Sequence, residues 1–260
     1  MRSLPNGLSV ASLNRSETDY LYKEIFEDEA YLPAQGLRLR AEPVIFDVGA
    51  NIGLFALYAL RTWPRGRIFA FEPAPAVFDA LRRNLGEAAK VELYNIALGD
   101  ARETRELRYY PRYTMMSGFT ADPAADRALA RSCFESTAAG LDPGDRELLL
   151  AAADAMFDGS FGQETVPCPV ERLSDVVEVA GVDRIDLLKV DVEGHELPVL
   201  RGIDEELWPR VDHIVVEVAD RSGELSEIRE LFAAHGMRTS VRQSAEFQNS
   251  NLFMVFADRE

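Results

Sequence analysis

The run PVIFDVGANIG, residues 43–53, constrains the fold more than any other stretch of this chain. A continuous apolar segment leads directly into a turn with two glycines, and LFALYALRTW follows as a helix. Short strands without polar alternation are buried on both faces, as in a parallel sheet covered by helices. The unit recurs: RIFAFEP is a second strand, PAVFDALRRNL a second helix, and VELYNIALGD a third strand ending in a turn. Further on, LSDVVEVAG, RIDLLKVD, HELPVLRGI, HIVVEVA and GELSEIRELFAAHG continue the alternation of helix and strand. That order predicts an α/β fold with a doubly wound parallel sheet. The final strands, MRTSVRQ and NLFMVFA, are joined by a polar loop and predict an antiparallel hairpin at one edge.

Two regions interrupt the pattern. SETDYLYKEIFEDEAYL opens on Ser16 as a helix cap and spaces Tyr20, Ile25 and Phe26 helically, so residues 1–40 read as a helical segment preceding a domain over 41–260. Between about 109 and 165 the strand register is lost, and Asp122 to Gly162 reads as a mainly helical, Ala-rich insertion. An insertion of this kind is a candidate lid over the site.

The net charge of −16 disfavours a nucleic-acid partner, since nothing offsets repulsion from phosphates. Cys133 and Cys168 are the two cysteines; they lie far apart without metal-binding spacing, as expected in a reducing compartment. No apolar run is long enough to span a membrane, and the first residues lack a signal-peptide core, so the expected location is the cytoplasm.

The glycine turn marks a ligand site. Gly49 and Gly53 allow a sharp turn and close backbone approach, with Asn51 between them. The pattern is G-x-N-x-G rather than a dinucleotide fingerprint, and Asp47 stands two residues before it. A carboxylate there repels a pyrophosphate but suits a cofactor with ammonium and sulfonium charges, such as S-adenosylmethionine. Glu72 closes the second strand, where an acidic group accepts hydrogen bonds from ribose hydroxyls. Asn95, Ala97 and Leu98 follow the third strand and are candidates for an adenine edge.

DVGANIGLFALYA, FEPAPAVFDALRRNL, NIALGD, DLLKVDVEGHELPVLRGI and VVEV together resemble the FkbM-type S-adenosylmethionine-dependent methyltransferases. The resemblance runs from about Tyr20 through the last strand, with the motifs in order. It implies a class I methyltransferase (Rossmann-like) fold: a doubly wound seven-stranded sheet with an antiparallel edge hairpin and a helical insertion. It also implies O-methylation of a small molecule or sugar. The stretch YYPRYTMMSGFTADPAAD is similar to members from polyketide and peptide natural-product pathways.

The reaction end then falls at LLKVDVEGHELPVL, where Asp191, Glu193, His195 and Glu196 follow a buried strand. Glu217 ends the next strand. Methyl transfer to a hydroxyl needs alignment and removal of a proton. His195 is the candidate base by intrinsic pKa and Asp191 the alternative, while Glu193 and Glu196 are candidates to orient His195 or to favour the positive helix amino terminus. Lys189 shares the strand face of Asp191 and is placed to neutralise part of the acidic set. A divalent metal such as magnesium, held by Asp191, Glu217 and His195, is an open alternative. Met116 and Ser117 are candidates for the acceptor pocket, with Glu217; Tyr20 and Tyr31 for covering the cofactor. Two other classes compete: a nucleotide-dependent oxidoreductase, and a catalytically degenerate methyltransferase fold used as a binding subunit.

Overall fold

The computed structural model describes residues 1–34, 36–138, 140–243 and 250–259. A short ribbon of β1 (Arg2–Ser3) and β2 (Ser9–Val10) precedes α1 (Arg15–Tyr22), which continues as a π-helical turn over Lys23–Glu27. Asn14, not Ser16, caps α1: its side chain accepts from the backbone N–H groups of Ser16 and Glu17. Next come β3 (Val44–Val48), α2 (Leu54–Thr62), β4 (Arg67–Phe71), α3 (Pro75–Leu85) and β5 (Val91–Tyr94).

The chain then leaves the main sheet. β6 (Ala97–Gly99), β7 (Glu103–Tyr109) and, after the helices α4 (Pro123–Ala138) and α5 (Pro143–Phe157), β8 (Glu164–Arg172) form a separate three-stranded sheet. Tyr109 pairs with Glu164, so the insertion is closed at its base by antiparallel β7 and β8. Its helices bury a small core of their own around Tyr110, Met116, Phe157 and Phe161. The expectation of one strand through VELYNIALGD is corrected here: Asn95 and Ile96 separate β5 from β6, which pairs with β8 instead.

α6 (Leu173–Val179), β9 (Ile185–Val190), α7 (Glu196–Arg201), β10 (Val211–Ala219), α8 (Glu224–Ala234), β11 (Arg238–Arg242) and β12 (Leu252–Asp258) complete the chain. The main sheet has the order β11-β12-β10-β9-β3-β4-β5. β5, β4, β3, β9 and β10 are parallel, while β12 runs antiparallel to both β10 and β11. The strand order reverses between β3 and β9, and such a switch opens a crevice at the carboxyl ends of the strands. Two apolar cores cover the sheet. One includes Ile45, Ile68, Leu187 and Val215; the other includes Phe46, Phe69, Leu188 and Val216. These are neighbouring residues on the same strands, as the two faces of a pleated strand require. Among the described residues, no helix is long and apolar enough to cross a membrane.

Candidate active site

A cavity lies beyond the carboxyl ends of the parallel strands, with about 1540 Å³ of empty space including its open mouth. Gly49, Asn51, Glu72, Ala97, Asp191, Glu193, His195 and Glu217 line it, with Met116 and Ser117 from the insertion and Tyr20 and Tyr31 from the N-terminal segment. Sequence positions far apart are therefore brought to one space by strand ends.

The glycine loop is fixed by backbone bonds. Gly49 and Ala50 donate to the Phe71 carbonyl at 3.0 and 2.9 Å, joining the ends of β3 and β4. The Glu72 carboxylate accepts from Asn51 N–H at 3.0 Å and from Ala74 N–H at 2.9 Å, one bond to each oxygen. A carboxylate has about four acceptor positions, so two remain for hydroxyl donors in the cavity. Burial pushes the Glu72 pKa up to about 7, against the pull of those two N–H groups. Asn95 donates to the Glu72 and Pro73 carbonyls and holds the strand end rather than a ligand.

Two sequence candidates have other roles. Gly53 does not line the cavity: a Cβ there would lie 2.6 Å from Leu85 Cδ1 and 2.7 Å from Leu81 Cδ1. Its missing side chain lets α2 pack on α3. Asp47 is fully buried beneath the loop, outside the cavity wall. Its partner is Lys189, whose Nζ lies 3.1 Å from Asp47 Oδ1 and 3.4 Å from Asp191 Oδ2 and donates to the Gly49 carbonyl at 2.8 Å. No side-chain or backbone donor among the described residues reaches either Asp47 oxygen in good hydrogen-bond geometry, so the ion pair carries the compensation. Burial raises the Asp47 pKa, with Lys189 opposing it. Burial alone would depress Lys189, but Asp47 and Asp191 overcome it and hold the ammonium above its ordinary range. Tyr31 and Phe55 present ring faces to the same ammonium at 5.1 and 5.9 Å.

At the other end, Asp191 Oδ2 accepts from the Tyr31 hydroxyl at 2.8 Å. Asp191, Glu193 and Glu217 each place a carboxylate oxygen within 4.8 Å of the others. Burial, then Asp191, pushes both Glu193 and Glu217 well above the ordinary carboxylate range. Glu193 has φ +56°, a left-handed conformation that turns the chain between β9 and α7. The third carboxylate is thus Glu193, and among the described residues the alternative metal set of Asp191, Glu217 and His195 is not assembled.

His195 instead begins α7, 4% exposed, edge-on to Phe119 at 4.8 Å. Its Nε2 is buried and has no hydrogen-bond partner among the described residues. Burial lowers its pKa to about 4, with Arg105 adding to the effect, so the ring is neutral at neutral pH. Glu196 does not orient it: the Glu196 carboxylate accepts from Gly194 N–H at 2.8 Å and secures the helix start. Sequence reasoning missed Glu17 and Glu24, which line the cavity from the N-terminal helix. Acids on an amphipathic surface helix carry no signal that distinguishes them from solvated ones.

Comparison with known proteins agrees with this geometry. The methyltransferase FkbM domain matches residues 47–239. The chain is 40% identical to the 31-O-demethyl-FK506 methyltransferase FkbM of Streptomyces tacrolimicus, over 98% of this chain and 95% of that one. It is 38% identical to the AMB antimetabolite synthetase AmbE of Pseudomonas aeruginosa, over 98% of this chain but only 12% of that much longer protein. The crystal structure of methyltransferase FkbM from Methylobacillus flagellatus shares the fold, with TM-score 0.51 and 13% identity over 90% of this chain and 47% of that one. With its matching domain, its seven-stranded sheet and its cavity at the switch point, the chain belongs to the FkbM methyltransferase family.

Proposed function

We propose that the chain transfers a methyl group from S-adenosylmethionine to a hydroxyl of a small-molecule natural product or a sugar. The observation that carries this reading is one cavity lined both by Gly49, Asn51 and Glu72 and by Asp191, Glu193, His195 and Glu217. The residues fit the cofactor. Glu72 keeps free acceptor positions for ribose hydroxyls, and the negative end of the cavity suits ammonium and sulfonium charges. Bound there, S-adenosylmethionine supplies an electrophilic methyl group on a positively charged sulfur. Family membership sets aside the oxidoreductase alternative.

The protein's own groups then position the acceptor and move its proton. His195 lines the cavity with a neutral ring whose Nε2 has no hydrogen-bond partner among the described residues, and in this reading it accepts the hydroxyl proton. Asp191 is engaged by Tyr31 and Lys189 and acts in positioning. Glu193 and Glu217, shifted toward their protonated forms, can both donate to and accept from acceptor hydroxyls. The lining from the insertion, with Met115, Met116, Leu129, Phe134 and Met156, takes an apolar acceptor body.

Calorimetric titration with S-adenosylmethionine is expected to give saturable binding; no heat and no competition at millimolar ligand would end this reading. His195→Ala is expected to lower turnover by about 10²–10⁴-fold, the usual range for a general base, with cofactor affinity unchanged. Wild-type turnover in that variant would remove His195 from the mechanism.

A further inference from the structure

Glu17 takes no part in the chemistry above, yet it is a buried carboxyl in the wall of the same cavity. It sits on α1 and is 5% exposed. The Thr114 hydroxyl donates to its Oε2 at 2.9 Å, whereas Oε1 is buried with no hydrogen-bond partner among the described residues. An unsatisfied buried carboxyl oxygen opposes folding. Holding Thr114 requires one acceptor oxygen, which a smaller neutral side chain also provides. A buried polar atom without a partner in a ligand cavity calls for an explanation beyond packing. Burial pushes the Glu17 pKa up to about 7, against the Thr114 hydroxyl and the nearby Thr114 and Met115 backbone N–H groups.

Its position selects the kind of partner. The chain just before α1 is fastened to the glycine-loop half of the site: Ala11 N–H donates to Asn84 Oδ1 at 2.6 Å, and Asn84 Nδ2 donates to the Ala11 and Ile52 carbonyls. At the far end of the same helical segment, Glu24 adds to the charge that raises Glu217. Seven residues separate Glu17 from Glu24, roughly 10 Å at helical rise, so the two acids serve different ends of the cavity.

We propose that Glu17 Oε1 accepts a hydrogen bond from an N–H or O–H donor on the nucleoside half of the cofactor, so that α1 and the Thr114–Met116 turn close over it together. This rests on the S-adenosylmethionine reading. The donor is either the base amino group or a ribose hydroxyl left free by Glu72.

The test is calorimetric binding of S-adenosylhomocysteine, and of its analogue with the base amine replaced by oxygen, to the wild type, Glu17→Met and Glu17→Gln, with Tm measured for each. Glu17→Met is expected to lose about 10-fold or more in S-adenosylhomocysteine affinity, the scale of a charge-assisted bond, while its ligand-free Tm stays level or rises. If the base amine is the donor, the wild type prefers the adenosyl ligand and Glu17→Met does not. If a ribose hydroxyl is the donor, both ligands weaken equally. Should Glu17→Met not fold, Glu17→Gln carries the test, with an expected loss of roughly threefold or more for a bond made neutral. Unchanged affinity with a lower Tm in either variant assigns Glu17 to packing and overturns the proposal. Absence of binding by the wild type overturns the cofactor reading itself.

Discussion

Replacing Gly49 with alanine is expected to remove cofactor binding and to destabilise the fold by about 2–5 kcal/mol, the left-handed backbone cost and the overpacking cost acting together. Gly49 has φ +81°, and a Cβ there would lie 1.7 Å from the Asp191 carbonyl oxygen. That atom is backbone, held by the pairing of β3 with β9, so no rotamer change relieves the contact. Either the glycine loop lifts away from Asp191 or the strand ends separate, and each outcome deforms the part of the cavity wall that Gly49 and Asp191 share. Gly7 provides the internal control. It has φ +85° but no atom within 4 Å of its Cβ position, so Gly7→Ala tests the backbone conformation alone, at about 1–2 kcal/mol. Urea midpoints for the two variants, with calorimetric titration of S-adenosylmethionine, separate the effects. Equal midpoints for Gly49→Ala and Gly7→Ala would show that the close approach to Asp191 is not what requires glycine.

The main sheet was legible in the sequence through the apolar runs of β3 and β4 and the apolar stretches within β9 and β10, and polar residues at or near their carboxyl ends, among them Glu72, Asp191 and Glu217, line one cavity. Asp191 follows β9 and lines the cavity beside Lys189, two residues away on one strand face, whereas Glu217 lines it from within β10, which runs on to Ala219 instead of ending there. The second sheet was hidden. β6 continues the apolar character of β5, and periodicity carries no mark of the two residues at which the chain changes sheets. β8 holds Pro167 and Pro169, residues that ordinarily argue against a strand. Their common parity puts both missing N–H groups on one side of the strand, so pairing with β7 survives. Gly53 illustrates a different loss: a glycine in a ligand loop and a glycine under a helix look the same until the Leu81 and Leu85 side chains are placed. The environment of His195 was equally hidden, because its neighbours Phe119 and Gly99 and the charge of Arg105 all come from positions far from it in sequence.

Lys189→Met is expected to destabilise the protein by about 3–5 kcal/mol, the range for breaking a buried ion pair by removing one partner. Lys189 is 3% exposed, and its ammonium faces Asp47 and Asp191 while donating to the Gly49 carbonyl, so it joins β3, β9 and the glycine loop at one point. Without it, Asp47 is fully buried with no charge partner and no hydrogen bond among the described residues. Asp47 then has to take up a proton or draw water in, and both outcomes work against the packed strand ends. The double variant Asp47→Asn/Lys189→Met removes the stranded charge and is expected to regain a large part of the loss, because a buried pair replaced on both sides is close to neutral for stability. It does not restore the site: Asp191 is left without its cation and the Gly49 carbonyl without its donor. Denaturant midpoints for the single and double variants read the first effect, and cofactor titration of the folded double variant reads the second. A Lys189→Met protein as stable as the wild type would show that Asp47 is already protonated when Lys189 is present. In that event the charge that steadies the cavity resides on Asp191 alone, and Asp191→Asn becomes the variant that parts stability from cofactor affinity.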